Sequence, residues 1–189
     1  MIAGNSGVFV TGFRWHAWRT LVEAPGCKAL FIRFITTGGT IDKIYFDQLS
    51  QFEIGDSQLK HILDDGLVQF DYDIVHLLQK DSLDMTDADR QHLCEQIAAD
   101  DVERFVVTHG TDTMPETAEV LAGLEGKTIG LTGALSPARF RSTDAVFNVA
   151  MAVAAAQVAP PGVYIAMSGQ IFEAGKVRKN RDENRFESL

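Results

Sequence analysis

The 189-residue sequence predicts one α/β domain with a doubly wound, mainly parallel sheet and helices on both faces, in three α/β/α layers. Two patterns support this fold class. Five short runs are almost continuously apolar, which is typical of strands buried on both faces. Segments with helical spacing of apolar residues lie between these runs, so strand and helix alternate along the chain. Right-handed crossovers would then place helices on both faces of the sheet.

The five predicted strands share apolar, β-branched or aromatic residues and are followed by polar or glycine-containing turns. The first of them stops at a Thr-Gly-Gly turn, which indicates a strand followed by a sharp change of direction. In chain order, the predicted strands are FIRFIT (31–36), DIVHLL (73–78), RFVVTH (104–109), TIGLTG (128–133) and VYIAM (163–167).

Helical patterns separate these strands. Thr86 is predicted to cap one helix, because Asp89 follows three residues later in the spacing of a capping box. Pro115 fits the first turn of another helix, where its missing N–H removes no hydrogen bond. Ser142 is predicted to open the last helix, which ends before two prolines. The four predicted helices cover residues 57–66, 86–100, 115–123 and 142–157.

The first thirty residues do not continue this pattern. Residues 1–33 hold four basic residues and one acidic residue, although the whole chain has a net charge of −9. They include Trp15 and Trp18 but no regular periodicity. We therefore predict an N-terminal extension over residues 1–30, disordered or loosely docked, followed by the α/β domain over residues 31–189. Two alternatives stay open: these residues could be sequence upstream of the true start codon, or a segment that binds a partner or a membrane.

The acidic composition argues against several classes of protein. Nucleic-acid binding relies on clustered Lys and Arg, so no nucleic-acid partner is expected. No run of 18 apolar residues occurs, so no membrane span is expected. Cys27 and Cys94 fit neither a zinc-site spacing nor a disulfide framework, which favours the reducing cytoplasm.

Polar residues cluster where the predicted strands end, which is the edge at which doubly wound sheets bind ligands. Thr40 follows two glycines after the first strand, and Thr111-Asp112 follow a glycine after the third. The second strand leads to Lys80-Asp81-Ser82. Two threonines on glycine turns could form a nucleophile and a donor for acyl transfer. From spacing alone, a plain turn at Thr40 and a helix-capping pair at Thr111-Asp112 remain open.

The motifs TTGGTID (36–42) and VVTHGTDTM (106–114) resemble the paired signatures of the bacterial-type L-asparaginase/glutaminase family. The resemblance covers about residues 31–189, which corresponds to the N-terminal domain of that family. It implies hydrolysis of the side-chain amide of asparagine, and often of glutamine, through an acyl-enzyme on a threonine. It also implies that no metal and no organic cofactor take part.

The resemblance assigns roles to individual residues. Thr40 is similar in position to the nucleophile, and Tyr45 lies on the loop after it, where the family keeps an activating tyrosine. Thr111, Asp112 and Lys179 resemble the second threonine and its aspartate and lysine partners, although Lys179 could instead be one of several solvated basic residues. The implied substrate-binding residues are Gly39, Ser82 and Asp112. For His109, packing or hydrogen bonding is favoured over a catalytic role.

The chain also departs from the family. Leu83 stands where many members have Gln. The chain has about half of the usual length, so we expect a short single-domain form without the C-terminal domain that completes the family's active site; a fragment or a degenerate copy is the alternative. The function predicted is an L-asparaginase that releases aspartate and ammonia as a cytoplasmic homo-oligomer. A non-catalytic module that binds an amino acid or a partner on the same fold is the alternative. An amidase domain that serves a transamidation complex is a third possibility.

Overall fold

The structure is a computed structural model that describes residues 30–46 and 51–189. Its strands are β1 Phe31–Gly38, β2 Lys43–Phe46, β3 Gln51–Ile54, β4 Asp71–Lys80, β5 Arg104–Thr108, β6 Thr128–Thr132, β7 Gly162–Met167, β8 Gln170–Glu173, β9 Val177–Asn180 and β10 Arg185–Ser188. Its helices are α1 Leu59–Asp65, α2 Asp87–Ala98, α3 Met114–Leu121 and α4 Ala145–Val158.

The central sheet has six strands in the order β4-β1-β5-β6-β7-β8. Neighbours from β4 to β7 run parallel, and β8 runs antiparallel to β7. The chain passes from β1 to β4 on one side and then to β5 on the other side of β1. The connections that follow β1 and β5 therefore diverge, which opens a crevice at the carboxyl ends of these strands.

The sheet buries a separate hydrophobic cluster on each face, because successive strand side chains point to opposite sides. Phe34 packs on the face that α1 and α4 cover. Ile35, its neighbour in sequence, packs on the face that α2 and α3 cover. These two layers of helices around a mainly parallel sheet confirm the predicted fold class.

The helix boundaries confirm one predicted cap and correct another. Thr86 caps α2: its hydroxyl accepts the Asp89 N–H, and the Asp89 carboxylate accepts the Thr86 N–H. Helix α4 begins at Ala145 rather than at Ser142. The carboxylate of Asp144 instead accepts the N–H groups of Leu135 and Ser136, so it ties the helix start to the preceding loop.

Two antiparallel hairpins and the edge strand β8 were not predicted. The β2–β3 hairpin follows the first glycine turn, and the β9–β10 hairpin lies near the end of the chain. Their strands are four residues long and contain charged residues, so they lack the apolar runs that mark the buried strands.

The predictions for the first thirty residues fall outside the described part of the chain, apart from Leu30. The two-part division into an extension and a domain therefore stays a prediction. Within the described ranges, no helix is both long and apolar enough to cross a membrane.

Candidate active site

Three turns meet at the carboxyl ends of β1, β4 and β5. A Cβ atom on Gly39 would lie 2.4 Å from the backbone N of Gly110, and one on Gly110 would lie 2.6 Å from the Cβ of Ser82. Only glycine allows such close approach of one backbone to another. The turns that carry Thr40, Thr111 and Ser82 are therefore in direct contact, as the sequence predicts for this edge of the sheet.

Thr40 begins a single 3-10 turn, Thr40–Asp42, directly after the two glycines. Asp42, at the end of the turn, is buried, and its carboxylate accepts the Gln58 N–H at 2.9 Å. Burial raises the pKa of Asp42, although the bonds from Gln58 and Ser57 act in the opposite direction. The Thr40 turn is thus fixed to the segment that leads into α1, while Thr40 itself is half-buried.

Lys179, on β9, points at Thr111. Its Nζ lies 3.5 Å from Thr111 Oγ1 and 2.8 Å from Asn184 Oδ1, and 5.1 Å from the ring centroid of Phe186. Burial lowers the pKa of Lys179, and the charge of Arg181 adds to this effect, against the opposing influence of Asp112 and Asp144. Burial therefore outweighs the carboxylates, a balance that the sequence leaves open. Lys179 is a half-buried partner of Thr111 and not a solvated surface residue.

Asp112 lies at the exposed side of this pair. Its backbone N–H donates to Ser82 Oγ at 3.2 Å, which joins the second and third turns. The carboxylate of Asp112 faces Arg181, with 3.9 Å between Oδ1 and Nε, and about a third of the Asp112 side chain is exposed. Asp112 acts on Lys179 through its charge, whereas Thr111 and Asn184 make the hydrogen bonds.

Ser82 starts the 3-10 turn Ser82–Asp84 and is almost fully buried. Its hydroxyl accepts the Asp112 N–H, and its carbonyl accepts the Thr113 hydroxyl at 2.7 Å. The hydroxyl keeps its own proton for donation to a ligand. Leu83, which follows it, is 62% exposed and presents an apolar side chain.

His109 is a buried structural residue, as the sequence favours. Its Nδ1 lies 2.6 Å from the Gly110 carbonyl, which requires the proton on Nδ1, and Nε2 then accepts the Thr117 hydroxyl at 2.8 Å. Arg90 Nε donates to the same hydroxyl at 3.2 Å. Burial, together with the Arg90 charge, lowers the pKa of His109 to about 4, although the bond to Gly110 opposes the shift. The neutral ring holds the carbonyl of the glycine before Thr111.

Tyr45 and Gly39 complete the set of predicted site residues. The backbone of Tyr45 lies in β2, opposite Phe52 in the hairpin and not in an irregular loop. Its side chain is outside the described part, so a contact with Thr40 is untested. Gly39 donates its N–H to the Lys80 carbonyl at 3.0 Å, and its carbonyl accepts the Asp42 N–H at 3.1 Å. The Gly39 N–H is thus already bonded, whereas its carbonyl has a second lone pair that a substrate donor could use.

Sequence reasoning missed two residues beside Lys179. Asn184 accepts the Lys179 ammonium from a left-handed backbone conformation, with φ +48°. Arg181 Nη2 donates to the Asp112 carbonyl at 3.4 Å. Both residues lie among the basic residues of segment 176–185. The sequence feature that could have indicated Asn184 is its residue type, because asparagine tolerates a positive φ at the tip of a short hairpin.

The chain is similar to a protein family and to individual proteins of known name. The family model described as "Asparaginase, N-terminal" matches residues 31–188. Over 74 residues the chain is 42% identical to L-asparaginase 1 of Escherichia coli strain K12, an alignment that covers 36% of this chain and 22% of that protein. Over 86 residues it is 37% identical to the glutaminase-asparaginase of Pseudomonas aeruginosa, which covers 43% of this chain and 24% of that protein.

A solved structure of L-asparaginase I from Vibrio cholerae superposes with a TM-score of 0.74 at 28% identity. This similarity covers 85% of the present chain and 52% of the Vibrio cholerae chain, so the described domain corresponds to about half of that protein. Because the matching family model spans nearly all of the described sheet and the three turns at its edge, the chain belongs to the asparaginase family, as a match to its N-terminal domain.

Proposed function

We propose that this domain hydrolyses the side-chain amide of L-asparagine to L-aspartate and ammonia, through an acyl-enzyme on Thr40. One observation carries the proposal: Lys179 Nζ lies 3.5 Å from Thr111 Oγ1, with its pKa lowered by burial, beside the turn that presents Thr40. A threonine hydroxyl needs a proton acceptor close by before it becomes reactive. A half-buried lysine with a lowered pKa supplies one for Thr111, the second threonine of the site.

In the first half of the reaction, Thr40 Oγ attacks the carbon of the substrate amide and gives up its proton. The carbon–nitrogen bond then breaks, the leaving nitrogen takes a proton and departs as ammonia, and an ester remains on Thr40. We assign acceptance of the Thr40 proton to Tyr45, which follows on β2 and passes its own phenolic proton to the leaving nitrogen.

In the second half, water attacks the ester carbon, and the Thr40 oxygen recovers a proton as aspartate leaves. The Thr111–Lys179 pair suits this step, because the neutral amine accepts the Thr111 proton while Thr111 takes one from the attacking water. The Asn184 carboxamide oxygen, 2.8 Å from Nζ, keeps the amine aimed at Thr111.

Substrate binding is assigned to the side chains around these threonines. The Ser82 hydroxyl can donate to the α-carboxylate of asparagine, and the Asp112 carboxylate can pair with the α-ammonium group. Asp112 is partly exposed, so its charge is accessible to a ligand. L-Glutamine, which has one more methylene, is proposed as the second substrate.

The decisive experiment measures ammonia release from asparagine and glutamine by the 189-residue chain. We expect Thr40→Ala to reduce the rate to background, and Thr111→Val and Lys179→Met to reduce kcat by about 10²- to 10⁴-fold, the usual contribution of a positioned proton-transfer group. Thr128→Val is the matched control, because Thr128 is a buried threonine at the amino end of β6, the opposite edge of the sheet. It should keep full activity.

The competing function is a binding module without catalysis. That function predicts that L-aspartate raises the melting temperature by selective binding to the folded state, while the unmodified chain releases no ammonia. Folded chain that releases no ammonia from either amide in its native oligomeric state would refute the amidohydrolase proposal.

We also propose that the chain acts as a cytoplasmic homo-oligomer. The side chains of Asp112 and Arg181 are 37% and 59% exposed at the mouth of the site, where a second subunit could cover them. Light scattering on the purified chain measures the subunit number, and a single subunit would contradict the proposal. Cell fractionation tests the location.

A further inference from the structure

An ion pair joins the turn of the proposed nucleophile to the turn of the proposed substrate-binding serine. Lys43 Nζ lies 2.7 Å from Asp81 Oδ2, and the two side chains are 27% and 26% exposed. Lys43 comes three residues after Thr40, and Asp81 comes directly before Ser82. Neither residue has a role in the reaction proposed above.

Each member of the pair is held to the backbone of its own turn. The Lys43 N–H donates to the Thr40 carbonyl and closes the 3-10 turn Thr40–Asp42. The Asp81 carboxylate accepts the Leu83 N–H at 3.2 Å and caps the 3-10 turn Ser82–Asp84. The ion pair therefore joins the residue that closes the Thr40 turn to the residue that caps the Ser82 turn.

The surroundings keep this pairing specific. Lys80, the neighbour of Asp81, directs its ammonium to Asp89, with an N–O distance of 2.8 Å. Burial pushes the pKa of Asp81 upward, but the Lys43 ammonium and the N–H groups of Leu83 and Ser82 outweigh burial, so its pKa lies below the ordinary value. Asp81 is thus ionised at neutral pH, and Lys43 is its cationic partner.

The two turns are joined at a second point, on the other side of Thr40. The Gly39 N–H donates to the Lys80 carbonyl at 3.0 Å. Thr40 therefore lies between a backbone bond at Gly39 and the side-chain ion pair at Lys43, and both lead to the segment 80–81. The backbone bond holds the residue before the Thr40 turn, and the ion pair holds the residue after it.

We propose that the Lys43–Asp81 ion pair is a positioning device that sets the separation between the Thr40 hydroxyl and the substrate held by Ser82. This inference rests on the proposed function. Its physical reason is that attack depends steeply on alignment: a displacement of about 1 Å can reduce a rate by about 10²-fold. A partly exposed pair with both members anchored to backbone is suited to fix a distance between two short turns.

The test uses Lys43→Met, Asp81→Asn and the double variant, with kcat and KM measured separately for asparagine hydrolysis. Asn at position 81 can still accept the Leu83 N–H, so Asp81→Asn removes the charge and keeps the cap. We expect each single variant to lower kcat by about 10-fold with little change in KM. This loss is smaller than the roughly 10²-fold expected for a displacement of about 1 Å. The double variant should be no slower than either single variant, because both remove the same contact.

Lys43→Arg should recover most of the lost kcat, since it restores a cation of similar reach. Lys60→Met is the control, because Lys60 forms an exposed ion pair with Asp64 one helical turn away on α1. It should leave kcat unchanged. Thermal melts confirm that each variant is folded before its rate is compared.

Two negative outcomes are distinguishable. If the unmodified chain is active and Lys43→Met retains its kcat, or if the two single losses multiply in the double variant, the positioning role is wrong and the proposed function stands. If the unmodified chain releases no ammonia, the proposed function fails, and this inference fails with it.

Discussion

Replacing Gly39 by alanine tests the claim that the site depends on direct backbone contact between two turns. Gly39 has φ +91° and ψ −174°, a region that is essentially restricted to glycine. The added Cβ would also lie 2.4 Å from Gly110 N and 2.5 Å from Gly110 Cα, both of which are backbone atoms that cannot rotate away. Gly39→Ala therefore combines conformational strain with a steric clash.

The magnitude follows from these two contributions. A residue held in such a region costs about 1–3 kcal/mol, and overpacking adds about 1–3 kcal/mol. We expect the free energy of unfolding to fall by about 2–6 kcal/mol, out of the roughly 5–15 kcal/mol typical of a domain. For a chain of this size each kcal/mol lowers the melting temperature by about 2–4 °C, so a loss of at least about 4 °C is expected.

Three other glycines separate the contributions in thermal and urea denaturation. Gly126 has φ +72° and open space around its Cβ position, so Gly126→Ala measures conformational strain alone. Gly110 has no positive φ but a clash with Ser82, so Gly110→Ala measures the clash alone. Gly123 has neither, and Gly123→Ala should be neutral or raise the free energy of unfolding by up to about 1 kcal/mol. A Gly39→Ala variant as stable as Gly123→Ala would refute the reasoning.

Three further predictions concern single residues. Thr86→Ala removes the capping hydroxyl of α2 and should lower the free energy of unfolding by about 1 kcal/mol in urea titrations, whereas an unchanged midpoint would contradict the capping box. Because the pKa of His109 is lowered to about 4 in the folded state, the unfolded chain binds the proton first, and the stability due to neutral His109 should be lost as pH falls from about 6.5 to about 4. This loss of free energy of unfolding amounts to about 3 kcal/mol. In His109→Gln the free energy of unfolding should depend less on pH in that window. If the variant shows an equally steep dependence, groups other than His109 cause it. The deacylation rate should rise with pH through the lowered pKa of Lys179, at a midpoint below its ordinary 10.5, and Lys179→Met should abolish that rise in single-turnover measurements.

The sequence predicted the sheet well where strands are buried on both faces. The apolar runs of β1, β5, β6 and β7 need no knowledge of their neighbours, because strands covered by helices on both sides are mainly apolar. The edge strand β4 was also predicted from its apolar run, although none of its residues is fully buried. The hairpins β2–β3 and β9–β10 lie at the margin of the fold and contain charged residues, so their extended conformation comes from pairing with each other and was not evident in sequence.

The same division applies to the site. Thr40, Thr111 and Ser82 could be predicted to share one edge of the sheet, because each follows the carboxyl end of a parallel strand. The environment of Lys179 could not be predicted, since it depends on burial beside Phe186 and on the bond to Asn184. The β9–β10 hairpin brings Lys179 itself near Thr111, which is 68 residues away in the chain.

The sequence by itself determined the fold class, the family resemblance and the edge of the sheet where polar residues gather, because periodicity and glycine turns are local properties. The tertiary structure alone decided which groups touch and how they are charged. The sign of the Lys179 pKa shift, the neutral state of His109 and the Lys43–Asp81 contact each depend on burial and on distances between segments far apart in the chain. Desolvation and Coulomb interactions act through space, so no local pattern of residues specifies them.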